Sequence, residues 1–264
     1  YTHNVLVPGS NPGGPTNLIN NMSFKNKLYQ SELVRYLPKF IIRKLRRKLN
    51  CYFVEIPLNT LPNNNYPQEN LEKQEEFIHQ FNQRKNEISN ITDSHKVQIF
   101  ESYYSQMVQI LESYFNNQPK FNFLDFGGNK IDFYLYLKKY LKNINYFIFN
   151  KKETIENFVH IKKKYNFDTL NILKNLEDIK KNEYDFINFG STIQYVPNFE
   201  NIVIEIINYS KKYIFFSRTH FYDKLTNTNE KIIVKQVNML PTIYYCYFFH
   251  LESFLKIFEE KGFQ

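Results

Sequence analysis

After Pro119 the chain changes rhythm, and that change limits its fold more than any other feature. Short apolar runs begin to alternate with amphipathic stretches. Asn122–Phe126 reads as a buried strand, Ile131–Leu141 as a helix, Tyr146–Phe149 as a strand and Lys152–Tyr165 as a helix. Leu170–Leu173 reads as a third strand and Asp185–Phe189 as a fourth. A helix over Phe199–Tyr209 and a strand over Tyr213–Phe216 follow. Strands separated by helices pair in parallel through crossovers, so an α/β domain with a doubly wound, mostly parallel sheet is expected over 119–264. Sheets of this kind take their ligands beyond the carboxyl ends of the strands.

The preceding residues read differently. Residues 22–118 form an expected helical N-terminal extension. In it Leu33, Tyr36, Leu37, Phe40 and Ile41 make a helix-period face that ends in the basic run Arg43–Lys48. The stretch Leu58–Pro67, with three prolines at or beside it, is a loop. Further helices are expected near Gln68–Ser89 and near Asp93–Phe115, the second carrying Val97, Phe100, Tyr104, Met107, Val108, Leu111 and Tyr114 at spacings of three and four. Residues 1–21 hold Gly9, Gly13, Gly14, Pro8, Pro12 and Pro15 and no apolar period. They read as a disordered tail outside the fold, with Met22 as the natural start.

Composition narrows the partners. Hydrophobic residues at 42% and aromatics at 18% of 264 residues sustain a packed core and exclude global disorder. The net charge of +8 suits an acidic partner such as RNA or a membrane surface. Yet the chain has no Ala or Trp and is rich in Lys, Asn, Ile, Tyr and Phe, the residues of AT-rich codons. The basic excess therefore reads as nucleotide bias, and no nucleic-acid partner is expected. Cys51 and Cys246 stand far apart without a second thiol, and His79, His95, His160 and His250 are scattered. No metal site is expected, and a reducing, cytoplasmic setting is. No apolar run approaches the length of a transmembrane helix.

Outside residues 1–21 only Gly127, Gly128, Gly190 and Gly262 occur. The first three directly follow the first and fourth strands of the α/β region, where a glycine lets a ligand approach the main chain. The turn lacks the later glycines of a dinucleotide fingerprint and the Gly-Lys-Ser/Thr of a P-loop.

Leu124-Asp125-Phe126-Gly127-Gly128 resembles the first motif of class I S-adenosylmethionine-dependent methyltransferases, which have a Rossmann-like sheet. Tyr184–Pro197, with its Gln194-Tyr195-Val196-Pro197 turn, resembles their fourth-strand motif. Phe216-Ser217-Arg218-Thr219-His220-Phe221, then Val234–Val237 and Pro241–Tyr244, and a helix over Phe249–Gly262 complete the set. Over Phe121–Gln264 this order is similar to a bacterial methyltransferase family associated with surface-polysaccharide gene clusters. The resemblance implies S-adenosylmethionine as cofactor and a small-molecule substrate, such as a sugar of a surface polysaccharide. It implies Asp125, Gly127 and Gly128 around the methionine part, Asn150 facing the ribose, and Gly190 with Ser191 or Thr192 along the cofactor edge. Gln194, Tyr195, Thr219, Gln236 and Tyr244 would border the substrate. Arg218 would hold a substrate phosphate or carboxylate, and His220 would act as general base.

Three departures bear on that expectation. Asn129-Lys130 stand where the family continues its glycine turn, and Asn150 stands where it has a carboxylate. The family also adds an antiparallel strand pair after the last helix, whereas this chain stops at Gly262-Phe263-Gln264. The sheet edge is thus expected unfinished unless Lys231–Tyr247 supplies the pair. A non-catalytic binding protein of the same fold and an RNA-directed methyltransferase are the alternative readings.

Overall fold

The computed structural model describes residues 4–6, 53–56, 71–87, 107–115, 117–222, 231–239 and 242–263. The helix expected around Leu33–Ile41, the basic run Arg43–Lys48 and the loop Leu58–Pro67 lie outside the described residues. The same holds for residues 93–106 of the expected Asp93–Phe115 helix.

Two short strands come first, β1 (Asn4–Leu6) and β2 (Phe53–Ile56). They are followed by helix α1 (Leu71–Glu87) and a helix over 107–115, α2. The α/β region then runs β3 (Phe121–Phe126), α3 (Ile131–Tyr140), β4 (Ile144–Phe149), α4 (Lys152–Tyr165), β5 (Leu170–Leu173) and the single turn α5 (Leu176–Ile179). It continues as β6 (Tyr184–Asn188), α6 (Phe199–Ile207), β7 (Ser210–Phe215), β8 (Phe221–Tyr222), β9 (Lys231–Met239), β10 (Thr242–His250) and α7 (Leu251–Glu259).

The main sheet has the order β1-β7-β6-β3-β4-β5, every pair parallel. The order reverses between β3 and β6, which marks the point where a doubly wound sheet opens a crevice. The strands are nearly all apolar because both faces are covered. On one face Phe121, Phe123, Tyr146, Phe186 and Phe215 pack with α1, α2, α3 and α4. On the other, Leu124, Phe147, Ile187, Phe189 and Phe216 pack with α6 and α7. Phe123 lies between Tyr146 and Phe186, its ring centroid 5.3 Å from each. Along the amino edge Asn171 donates to Asn145, which donates to Asn122, so three strands share one amide ladder.

Several elements depart from the sequence expectation. Asn4–Leu6, in the stretch read as a tail outside the fold, pairs with Tyr213–Phe215; its Val5-Leu6 pair has the strand preference such an edge needs. Phe53–Ile56, in the stretch read as helical, pairs antiparallel with β9, as aromatic and β-branched residues before Pro57 permit. The strand pair β9–β10 does not extend the parallel sheet. It forms the centre of a second sheet, β2-β9-β10-β8. The last helix begins at Leu251 rather than Phe249, because Phe249 stays paired with Lys231 and Phe221 and His250 caps the helix, its ring nitrogen accepting from the Ser253 N–H.

No helix among the described residues is long and apolar enough to cross a membrane.

Candidate functional site

The carboxyl ends of β3, β4, β6 and β7 meet around Asp125. This residue occupies the last turn of the pleat in β3, on the face shared with Tyr146 of β4 and Asn188 of β6, and is buried. The Tyr146 hydroxyl donates to Oδ2 at 2.5 Å and the Asn188 amide donates to Oδ1 at 2.8 Å. Burial nevertheless dominates and raises the Asp125 carboxyl from its ordinary 3.8 to about 6, with Asp132 adding to the rise; the two donors and the Arg218 charge oppose it.

The turn after β3 wraps this carboxylate. A Cβ on Gly128 would lie 2.0 Å from Asp125 Oδ2, so glycine is what lets the carboxylate lie against the main chain. Gly127 has φ +85°, and a Cβ there would meet Thr192 Cγ2 at 2.2 Å. The turn from β6 therefore closes directly over the turn from β3. The Gly127 N–H donates to Phe149 O at 2.7 Å, tying the turn to the end of β4.

Asn150 follows β4 at the expected place, but its amide is turned inward. Nδ2 donates to Gly127 O at 3.1 Å and to Gly128 O at 2.7 Å, and Oδ1 accepts from the Lys151 N–H. In this arrangement its donors face the glycine turn.

Beyond β6 and β7 the chain turns through two non-glycine residues at positive φ, Ser191 and Arg218, both at 55°. Backbone held in that region by L-residues is strained and clusters at functional sites. The two turns brace each other. The Ser191 N–H donates to Ser217 O at 2.7 Å, and Gln194, buried in the 3₁₀ turn Ile193–Tyr195, donates to Arg218 O at 3.1 Å. A Cβ on Gly190 would lie 3.2 Å from the Asn188 amide and from Ser217 Oγ, so glycine leaves room for both side chains.

Among the described residues, three buried polar atoms at this rim lack a hydrogen-bond partner: Asn188 Oδ1, Gln194 Oε1 and Thr219 Oγ1. Buried polar atoms are ordinarily paired, so an unpaired group of them beside a glycine turn fits a ligand carrying hydrogen-bond donors. The buried, acid-raised Asp125 adds a preference for positive charge.

The second sheet forms the outer wall. Tyr244 lies edge-on to Tyr195 at 6.3 Å, and Tyr195 is pushed up to about 12, chiefly by burial. Gln236 is the cross-strand partner of Tyr244; its side chain lies outside the described residues. His220 stacks on Phe248 with centroids 4.7 Å apart, and burial lowers its pKa below the ordinary 6.5. Among the described residues no group of His, Cys, Asp and Glu is arranged to hold a metal ion.

The structure thus joins Asp125, Gly127, Gly128, Asn150, Gly190, Ser191, Gln194, Arg218 and Thr219 in one connected rim, with Tyr195, Tyr244 and His220 at its outer side. Sequence reasoning missed Tyr146, Asn188 and Gln74. The first two were within reach, because they sit on the strands flanking Asp125 and share its side of the pleat. Gln74 had no such signal: it reaches the turn from α1, more than fifty positions upstream.

No family model matches the chain, and no curated protein matches it. Among solved structures it is similar to coclaurine N-methyltransferase bound to N-methylheliamine and SAH. That match has 17% identity over 46% of this chain and 36% of that one, with a TM-score of 0.34. The matched region is thus little more than a third of that enzyme's length. It is similar to the N-terminal domain of EvdMO1 with SAH bound, at 10% identity over 59% of this chain and 69% of that one, TM-score 0.44. An O-methyltransferase family protein from Burkholderia thailandensis matches at 7% identity over 68% and 71% of the two chains, TM-score 0.37.

Proposed function

We propose that the chain is an S-adenosylmethionine-dependent methyltransferase acting on a small molecule, a sugar of a surface polysaccharide by its motif resemblance. One observation carries this reading. Asp125 is a buried carboxylate under a glycine turn at the point where strand order reverses, with the unpaired Oδ1 of Asn188 beside it and the unpaired oxygens of Gln194 and Thr219 on the turns that follow β6 and β7. A ligand with an ammonium, a sulfonium and ribose hydroxyls supplies both the positive charge and the donors that this rim lacks. When bound, S-adenosylmethionine supplies an electrophilic methyl group. Asp125, Gly127 and Gly128 would hold it at β3, and Gly190 and Ser191 at β6, while Asn150 after β4 bears on it through the glycine turn.

Methyl transfer is an in-line displacement, so the chain's task is alignment, exclusion of water and removal of one proton. Gln194, Tyr195, Thr219, Gln236 and Tyr244 border the acceptor. The exposed Arg218 offers a planar fork for a phosphate or carboxylate of the substrate. His220, kept neutral by burial, accepts the proton of an acceptor hydroxyl. The buried free thiol of Cys246 accords with a reducing, cytoplasmic setting.

Calorimetric titration of S-adenosylhomocysteine tests the reading. Micromolar binding that disappears in Gly127→Val supports it, and no binding to folded protein rejects it. Retention on RNA at low salt would instead favour the RNA-directed alternative. The departures from the motif, Asn129 in place of a glycine and Asn150 in place of a carboxylate, favour a second reading, a binding protein without turnover. Cofactor binding with no methyl transfer to any hydroxyl-bearing acceptor would support that one.

A further inference from the structure

The glycine turn is held by two primary amides, one following β4 and one from the N-terminal helix. Asn150 Nδ2 donates to the carbonyls of Gly127 and Gly128. Gln74 of α1 donates through Nε2 to Asn129 O at 2.9 Å and accepts the Ile131 N–H on Oε1 at 2.8 Å. Three consecutive carbonyls and the first N–H of α3 are thereby fixed by two side chains. Lys130 at the cap position of α3 makes no side-chain cap, so Gln74 does from another helix what an Asn or Ser at the cap would do locally. Gln74 is 3% exposed; its bond with the Ile131 N–H is buried and that with Asn129 O half-buried. The Glu75–Lys164 ion pair, with His160 Nε2 at 3.4 Å from the same carboxylate, lies beside it on the surface and contributes little of its own.

We infer that Gln74 and Asn150 are positioning residues that set the cofactor turn, taking over the task of the glycine missing at residue 129. A trans peptide points its N–H opposite to its carbonyl. Pinning the carbonyls of residues 127–129 therefore fixes the direction of the N–H groups of Gly128, Asn129 and Lys130, each opposite a pinned carbonyl. A turn that ended in more glycines would reach this shape by backbone freedom; here it is imposed from outside. The same arrangement makes α1 part of the site, since its buried amide is one of the two braces. It also gives the Asn at residue 150 a reason: an Asp there would set a carboxylate against two carbonyl oxygens.

The first test needs no ligand. Hydrogen exchange of the Ile131 amide is expected to accelerate about tenfold in Gln74→Met, which keeps the volume and removes the acceptor. Unchanged exchange in that variant overturns the brace. The second test rests on the proposed cofactor. S-adenosylhomocysteine and 5′-methylthioadenosine, which lacks the amino-acid part, are titrated into wild type, Gln74→Met, Asn150→Ser and Asn150→Asp well below the unfolding temperature. All three variants are expected to lose about tenfold in affinity for the first ligand and under about twofold for the second. Asn150→Asp binding as well as or better than wild type, or equal losses for both ligands, would mean that residue 150 serves the ribose and would overturn the inference. If wild type binds neither ligand, the cofactor reading fails while the exchange result still decides whether the brace exists.

Discussion

Asp125→Asn should separate what this carboxylate does for binding from what it costs the fold. Burial raises its pKa from 3.8 to about 6, so the folded protein holds the proton more tightly than the unfolded chain does. Between about pH 4 and about pH 6 the native state therefore binds more protons, and stability falls as pH rises through that window. A shift of roughly two units corresponds to about 3 kcal/mol at neutral pH. Asn has the same shape and no charge to bury. Its oxygen can accept from Tyr146, and the amide of Asn188, turned over, presents its unpaired Oδ1 to the new donor.

Urea unfolding of both proteins at about pH 4.5 and about pH 8 gives the stability gap at each pH; subtracting the two gaps removes the contributions of all other titrating groups. The gap should move in favour of Asn by about 2 kcal/mol on going to the higher pH, since at about pH 4.5 the unfolded carboxyl is already mostly ionised and roughly a third of the cost is present there. Binding of S-adenosylmethionine should weaken in the same variant at the higher pH, because the charge that attracts its cations is gone. A gap that stays constant with pH, or moves against Asn, refutes the argument that a buried charge is being carried for the sake of a ligand.

Other outcomes follow from the same geometry. Tyr146→Phe removes a donor to the ionised carboxylate and should cost about 2 kcal/mol at about pH 8 but less at about pH 4.5, read by the same unfolding curves. Gly127→Ala forces an L-residue to φ +85° with its Cβ 2.2 Å from Thr192, and should cost about 2–5 kcal/mol in thermal unfolding while abolishing S-adenosylhomocysteine binding. In a methyl-transfer assay with a hydroxyl acceptor, His220→Asn should slow turnover about a hundredfold or more; the wild-type acid limb, which the variant lacks, should fall below pH 6.5 because burial lowers this pKa.

The sheet was legible because its signals are local and repeated. Phe121, Phe123, Leu124 and Phe126 bury both faces of β3, and a strand buried on both faces writes a continuous apolar run into the sequence. The glycines were legible for a related reason: in a chain with so few, Gly127, Gly128 and Gly190 stand out, and at each a side chain would press on a neighbouring turn, amide or carboxylate. The second sheet was harder. Phe53–Ile56 pairs with Gln236–Ile233 across some 180 positions, and four residues of strand preference inside a helical stretch do not announce a partner so distant.

Asn150 shows where sequence reasoning stops for a physical reason. Its place at the end of β4 follows from strand length, and the resemblance then assigns its donors to a ribose. An amide has two donor hydrogens, and where they go depends on which acceptors are nearest. Here the carbonyls of Gly127 and Gly128 lie at 3.1 and 2.7 Å, brought there by a turn whose shape is also governed by Gln74. The role of residue 150 is thus set by a helix that neither the motif nor the spacing includes. The two departures, Asn at 129 and Asn at 150, then cease to be independent losses. A turn without its further glycine needs its carbonyls held, and an amide at the end of β4 can hold two of them where a carboxylate would repel both.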